Sequence, residues 1–247
     1  MSFQTTVITL YPDAFPGPLG VSILKRGLDG GLWSLETVDL RAFGEGKHRK
    51  VDDTPAGGGA GLVLRADVAA AAIDSIDLGG RPLLFPSPRG KPFTQVRARD
   101  LSEGAGAVFL CGRFEGLDQR VIEARGIEEV SLGDYVLAGG ETAAQAMIEA
   151  TVRLLPGIAG NEASLEEESF ENGLLEYPQY TAPRVWEDRE IPSVLLSGNH
   201  KAVAEWRLQS SQALTRDLRP DLWAAYPNNA PEKAPPVRAS ETDDECD

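Results

Sequence analysis

Apolar positions along this chain fall into two rhythms. Short, mainly apolar runs at residues 7–10, 82–85 and 107–111 read as strands, 35–40 alternates as a further one, and 128–132 reads as the last. Between them, residues 22–28, 66–76, 94–101 and 118–124 carry apolar side chains at helical spacing, the first stopped by Gly30 and Gly31. Strand and helix in alternation predict an α/β domain with a parallel sheet and crossover helices. The pattern is densest at Ser131-Leu-Gly-Asp-Tyr-Val-Leu-Ala-Gly-Gly-Glu141. Residues 135–138 read there as the end of a buried strand and Gly139-Gly140 as a turn. Residues 142–155 read as a helix, with Ala143, Ala146, Met147, Ala150 and Leu154 on one face and Pro156-Gly157 as its stop.

Two more apolar runs end in loops rich in Gly or Pro. Residues 83–85 run into Pro86-Ser-Pro-Arg-Gly90, and 107–111 into Gly112-Arg-Phe-Glu-Gly116. Ligands of open α/β sheets sit beyond the carboxyl ends of strands, and glycines there let backbone N–H groups approach a ligand. A turn without a ligand would have the same composition. Residues 41–61 have no periodicity. They hold Lys47, His48, Arg49 and Lys50, then Asp52, then Gly57, Gly58, Gly59 and Gly61. The glycines match the loose G-x-G-x-G pattern, but no apolar strand precedes them and no Gly-Lys-Ser/Thr follows. A dinucleotide fingerprint and a P-loop are both excluded. A loop this long suggests work, although a plain surface loop is the other reading.

After residue 156 the pattern changes. Residues 160–173 are acidic, without sheet pattern, and read as a linker between a domain at 1–159 and a small, mainly helical unit at 174–227. Tyr177-Pro178, Ala182-Pro183 and Ile191-Pro192 mark extended or turning chain. A helix opens after Ser197-Gly-Asn-His200, capped by Asn199 or Ser197, with Val203, Trp206, Leu208 and Leu214 along it. Residues 218–226 read as a short helix interrupted at Pro220. Residues 228–247 are Pro-rich, then acidic, and are expected to be disordered. No internal repeat is present.

Composition narrows the classes. The chain has 247 residues and the apolar content of a globular protein. No apolar run is long enough to span a membrane, and Met1-Ser-Phe-Gln-Thr is not expected to open a secretory leader. Cys111 and Cys246 are not expected to pair, which fits a reducing cytoplasm. His48 and His200 are the only histidines, so a zinc site is not expected. The net charge of −14 argues against a generic nucleic-acid binder. Part of that excess lies in the acidic tail, and local potential decides where phosphates dock.

Gly112-Arg-Phe-Glu-Gly-Leu-Asp-Gln-Arg120 and the stretch 131–141 closely resemble the signatures of the bacterial tRNA (guanine-N1)-methyltransferases, a family of the knotted SPOUT methyltransferases. Order and spacing are kept from Val7 to about Trp223. The resemblance implies a parallel-sheet domain containing a trefoil knot, a small helical C-terminal domain, and a homodimer with the active site at the subunit interface. It implies methyl transfer from S-adenosylmethionine to N1 of the guanosine immediately 3′ of the anticodon, with a magnesium requirement for which the sequence offers no dedicated cage. It maps the cofactor pocket onto Phe85, Pro86, Ser87, Pro88 and Gly90; onto Gly112, Arg113, Phe114, Glu115 and Gly116; and onto Leu132, Gly133, Asp134, Tyr135, Val136, Leu137, Gly139 and Gly140. Asp52, Gly57, Gly58 and Gly59 would border the target guanosine. Lys47, Arg49 and Lys50 would lie near RNA phosphates, with Lys201 and Arg207 on the C-terminal helix as further contacts.

Methylation at N1 needs a base for the N1 proton and a cation or donor for the charge growing on O6. The resemblance assigns these roles to Glu168 and Arg153. Without it, Arg153 is equally a cation favoured by the helix dipole, and residues 166–168 are a solvated acidic run. The chain departs from the family at two points. Glu168 stands where the family has aspartate just before Ser169-Phe170, leaving Glu162, Glu166 and Glu167 as other carboxylates in reach. Ala143 stands at one wall of the adenine slot where the family has proline. Two rivals remain open in the sequence: a non-catalytic RNA-binding relative, which the glutamate at 168 favours, and a Rossmann-type nucleotide-cofactor enzyme.

Overall fold

A computed structural model describes residues 2–160 and 168–227. Glu162, Glu166, Glu167 and the tail at 228–247 lie outside the described residues. The chain forms two compact units, Met1–Glu162 and Ala163–Asp247. The division falls inside the stretch expected as a linker.

In the first unit the elements follow in order as β1 (Phe3–Thr9), α1 (Ser22–Asp29), β2 (Trp33–Asp39), β3 (Asp52–Asp53), β4 (Val63–Leu64), α2 (Ala66–Asp74), β5 (Leu83–Pro92), α3 (Gln95–Ser102), β6 (Gly106–Leu110), α4 (Gln119–Ala124), β7 (Glu128–Ser131) and α5 (Glu141–Val152). Five strands make one parallel sheet in the order β2-β1-β6-β5-β7. β6 lies at its centre and is buried along its whole length. This is why its sequence is a continuous apolar run rather than an alternation. Successive side chains of β6 still face opposite layers. Phe109 packs with Leu24 of α1, Leu101 of α3 and Met147 and Ile148 of α5. Val108 and Leu110 pack with Val68 and Ile73 of α2 and Val121 and Ile122 of α4. Helices thus cover both faces, the arrangement that parallel strands require.

Four expectations need correction. Residues 135–138 are not a buried strand end. β7 stops at Ser131, and Tyr135, Val136 and Leu137 form an exposed loop, Val136 at 83% of its accessible surface. Three adjacent apolar residues satisfy the pattern of a short buried strand, but here they face a cavity instead. Residues 86–90 are not a free loop either, since β5 continues through them to Pro92. Its register against β7 slips between Pro86 and Lys91, where Pro86 and Pro88 have no N–H to give to a ladder. The stretch 41–61 contains more than loop, because β3 pairs antiparallel with β4 across residues 54–62. In the second unit, Pro220 starts a helix rather than interrupting one. Its missing N–H is no loss at the first helical position.

That second unit contains a hairpin of β8 (Val185–Trp186) and β9 (Arg189–Glu190), then α6 (His200–Leu218) and α7 (Pro220–Ala225). Asn199 caps α6, its side chain accepting from the Ala202 N–H at 3.2 Å. Tyr180 meets Trp206 edge to face at 6.1 Å, and the Arg207 guanidinium sits 4.6 Å above the Tyr177 ring. The turn carrying Glu168 belongs to this unit. The Ser169 hydroxyl accepts from the Glu176 N–H at 2.9 Å. One residue earlier in the chain, the Leu175 N–H donates to the buried Thr215 hydroxyl of α6 at 2.8 Å.

Candidate functional site

The carboxyl ends of β6 and β7 and the irregular middle of β5, three neighbours in the sheet, open into one cavity of about 320 Å³. Its walls come from three segments. Phe85 to Arg89 line it from β5, Gly112 to Gly116 from the loop after β6, and Ser131 to Gly140 from the loop after β7, apart from Asp134. Of the residues that the resemblance marks for the cofactor, only Gly90 and Asp134 are not in the lining. Gly90 faces β7, where a Cβ would strike the backbone of Glu129 and Val130. Arg89, Ser131, Ala138 and Ala143 also line the cavity, and Ala143 is the small residue standing where the family has proline.

Arg113 ties two of the walls together. Its Nη1 donates to the Ala138 carbonyl at 3.3 Å, and the Gly140 N–H donates to the Gly112 carbonyl at 2.9 Å. Its guanidinium stacks 4.4 Å above the Tyr11 ring. Behind it lies Glu141, 4% exposed, whose Oε1 accepts from the Thr9 hydroxyl at 2.8 Å. Glu141 Oε2 is 2.9 Å from Arg113 Nη2, but the approach is off the hydrogen-bonding direction. Oε2 and the Arg113 Nε therefore have no aligned partner among the described residues. Burial pushes the nearby Cys111 thiol well above its ordinary value. The Glu141 charge adds to this and the Arg113 charge opposes it. The thiol stays protonated and packs as a small apolar group. A buried acid opening a helix looks in sequence like any exposed first-turn acid, so Glu141 carries no distinguishing signal there.

The basic and glycine-rich loop adjoins this cavity through backbone. The Glu115 N–H donates to the Leu62 carbonyl, and the Leu64 N–H to the Gly116 carbonyl, both at 2.9 Å. Asp52 is half-buried in β3, while Gly57, Gly58 and Gly59 are exposed with φ of +90°, +82° and +127°. Lys47 and Arg49 lie on a turn closed by the Arg49 N–H and the Gly46 carbonyl. Lys50 pairs with Asp53 at 2.8 Å, which with the Thr54 N–H holds the Asp53 carboxyl below its usual range.

The structure does not bring all the marked residues together within one unit. Arg153 caps the far end of α5, about 18 Å along the helix from Glu141 at 1.5 Å per residue. It is not in the cavity lining. Glu168, half-buried, lies on the turn of the second unit, as do Lys201 and Arg207 on α6. Among the described residues no three or more His, Cys, Asp or Glu side chains gather as a metal site would need. Among them, too, no helix is long and apolar enough to cross a membrane.

Residues 3–225 match the family model described as tRNA (guanine-1)-methyltransferase TrmD. The tRNA (guanine-N(1)-)-methyltransferases of Brucella ovis and Brucella melitensis are each 60% identical over 227 residues. These cover 92% of this chain and 94% of each relative. That of Brucella suis is 60% identical over the same share of this chain. With the match running from β1 to α7, through all three walls of the cavity, the chain belongs to the tRNA (guanine-1)-methyltransferase TrmD family and is a tRNA-methylating enzyme.

Proposed function

We propose that the chain methylates N1 of the tRNA guanosine immediately 3′ of the anticodon, and that the cavity between β5, β6 and β7 holds S-adenosylmethionine. The observation that carries this is the cavity itself. It is lined by glycines of two loops and by the exposed apolar side chains of Phe114, Tyr135, Val136 and Leu137, which suits an adenine ring and a ribose. The cofactor supplies an electrophilic methyl group when bound. The protein's part is to remove the N1 proton and stabilise charge. Glu168 takes the proton as N1 attacks, and Arg153 faces O6, where negative charge develops.

A single copy separates Arg153 from the cavity by the length of α5. This supports a homodimer in which the cavity of one subunit faces the linker and C-terminal unit of the other, as the family resemblance implies. The same resemblance supports a knotted first domain. The basic turn at Lys47, Arg49 and Lys50 would take RNA phosphates, with Asp52 and the glycines beside the target base, and Lys201 and Arg207 on the C-terminal helix. A tRNA substrate fits a cytoplasmic location.

The test is detection of N1-methylguanosine by mass spectrometry after unmodified tRNA is incubated with the protein and S-adenosylmethionine. Glu168→Gln keeps size and polarity but cannot take the proton. Its single-turnover rate should fall by about a hundredfold or more, as for loss of a general base, with little change in cofactor affinity. Full activity in Glu168→Gln would move the role to Glu162, Glu166 or Glu167. Glu168→Asp restores the family's residue. A reduced rate would show a linker adapted to glutamate, and an equal or higher rate a linker that adjusts on tRNA.

A further inference from the structure

We infer that Glu141 is a positioning residue for cofactor binding, acting through Arg113 rather than by touching the ligand. The inference rests on the reading that the cavity takes S-adenosylmethionine.

Glu141 is not in the cavity lining, but Arg113, Ala138, Gly139 and Gly140 are. Arg113 is the strap across that wall. Its backbone bridges antiparallel to Gly139, and its guanidinium holds the Ala138 carbonyl. The strap is gripped from two sides, by the Tyr11 ring and by the Glu141 carboxylate. The guanidinium also lies close over Gly139, where a Cβ would displace it. The Arg113 side chain is only 26% exposed. A half-buried guanidinium without a counter-charge would be drawn toward water, since the carboxylate is what offsets its lost hydration. Once it swings out, the Ala138 carbonyl loses its donor, and the segment 138–140 is held to the loop after β6 by backbone alone, through the Gly140 N–H and the Gly112 carbonyl. That segment is where backbone must approach a bound ligand.

Thr9 gives the carboxylate its own anchor. It ends β1, is fully buried, and donates to Oε1, so Oε2 is left turned to Arg113. The chain of contacts therefore runs from the sheet, through Thr9 and Glu141, to Arg113 and the cavity wall. A carboxylate kept merely for helix capping would not need to be buried, nor to be paired across 28 residues of chain to a cavity-lining arginine.

Calorimetry of S-adenosylmethionine binding tests this on four variants of the full chain: Glu141→Gln, Arg113→Met, the two combined, and Gly140→Val. Glu141→Gln should weaken binding tenfold or more. At saturating cofactor its single-turnover rate should stay within a few-fold of the parent's, a split between KM and kcat that general loss of stability would not produce. In the Arg113→Met background, adding Glu141→Gln should weaken binding no further, because the strap it holds is gone. Undiminished affinity in Glu141→Gln, or losses that multiply in the combined variant, would overturn the inference. Gly140→Val separates this from the cavity reading. If it too binds normally, the cavity is not the cofactor site. If it fails to bind while Glu141→Gln binds normally, only the role of Glu141 falls. Should Glu141→Gln not fold, Glu141→Asp keeps the charge one methylene short of Arg113 and is read by the same comparison.

Discussion

Two stretches of the first unit are rich in glycine, and they are glycine for opposite reasons. Gly139 and Gly140 have ordinary backbone but no room. A Cβ on Gly139 would meet Arg113, and one on Gly140 would lie 3.0 Å from the backbone of Cys111 and Gly112. Gly57 and Gly58 have room, with nothing within 4 Å of where a Cβ would be, but their φ of +90° and +82° suits only glycine. The first pair lets two loops close on one another around a cavity. The second lets a surface loop turn between β3 and β4. One should therefore fail on added volume, and the other only on backbone strain.

Gly140→Val should give the largest effect. Its branches would press on backbone that cannot yield, and cofactor binding should be lost in a protein that still melts cooperatively. Normal affinity by calorimetry would show that the space is not needed. Gly139→Ala is the finer version, since it meets a side chain that can move. We expect about a tenfold loss of affinity as Arg113 is displaced. Gly58→Ala should act differently. Holding an alanine at positive φ costs about 1–2 kcal/mol, so the melting temperature should drop slightly while cofactor affinity is unchanged. If the loop borders the target base, the KM for tRNA should rise. A cofactor affinity that fell with Gly58→Ala would remove the distinction between the two glycine stretches.

This contrast also marks what was legible in the sequence. β6 was readable because a strand buried on both faces has no polar positions to confuse with a turn. The same rule misled at Tyr135-Val136-Leu137, whose apolar side chains are exposed where they bound the cavity. Propensity cannot say whether an apolar run is covered by protein or reserved for a ligand. The pair β3–β4 was hidden because two-residue strands leave no period to detect. The residues around the cavity were named through the family signatures, not through periodicity. Glu141 stood in the last position of one signature, yet its burial and its tie to Arg113 depend on chain 28 and 132 residues away.

The basic turn beside the second glycine stretch sharpens the comparison through charge. If Lys47, Arg49 and Lys50 meet phosphates, replacing all three by alanine should flatten the slope of log K for tRNA against log salt. The expected change is up to about 0.7–0.9 per lost contact. Lys50 should contribute least, because Asp53 already holds it at 2.8 Å. An unchanged slope would move the RNA surface toward Lys201 and Arg207.

The smallest effect concerns that Lys50–Asp53 pair itself. Lys50 holds the Asp53 carboxyl below its ordinary range, first through a hydrogen bond to the side chain, then together with the Thr54 N–H. A depressed carboxyl stabilises the fold at pH above its unfolded value, about 3.9, and this stabilisation disappears as pH falls through the folded value. Lys50→Ala removes most of the depression. The melting temperatures of parent and variant should therefore differ slightly near pH 6 and converge below about pH 3, where Asp53 is protonated in both. Because the pair is exposed, the gap should be small and should shrink further in salt. A gap that persisted unchanged at low pH would mean that Lys50 stabilises the turn by packing rather than by charge. The tRNA slope would then be the only property of this loop left to its cations.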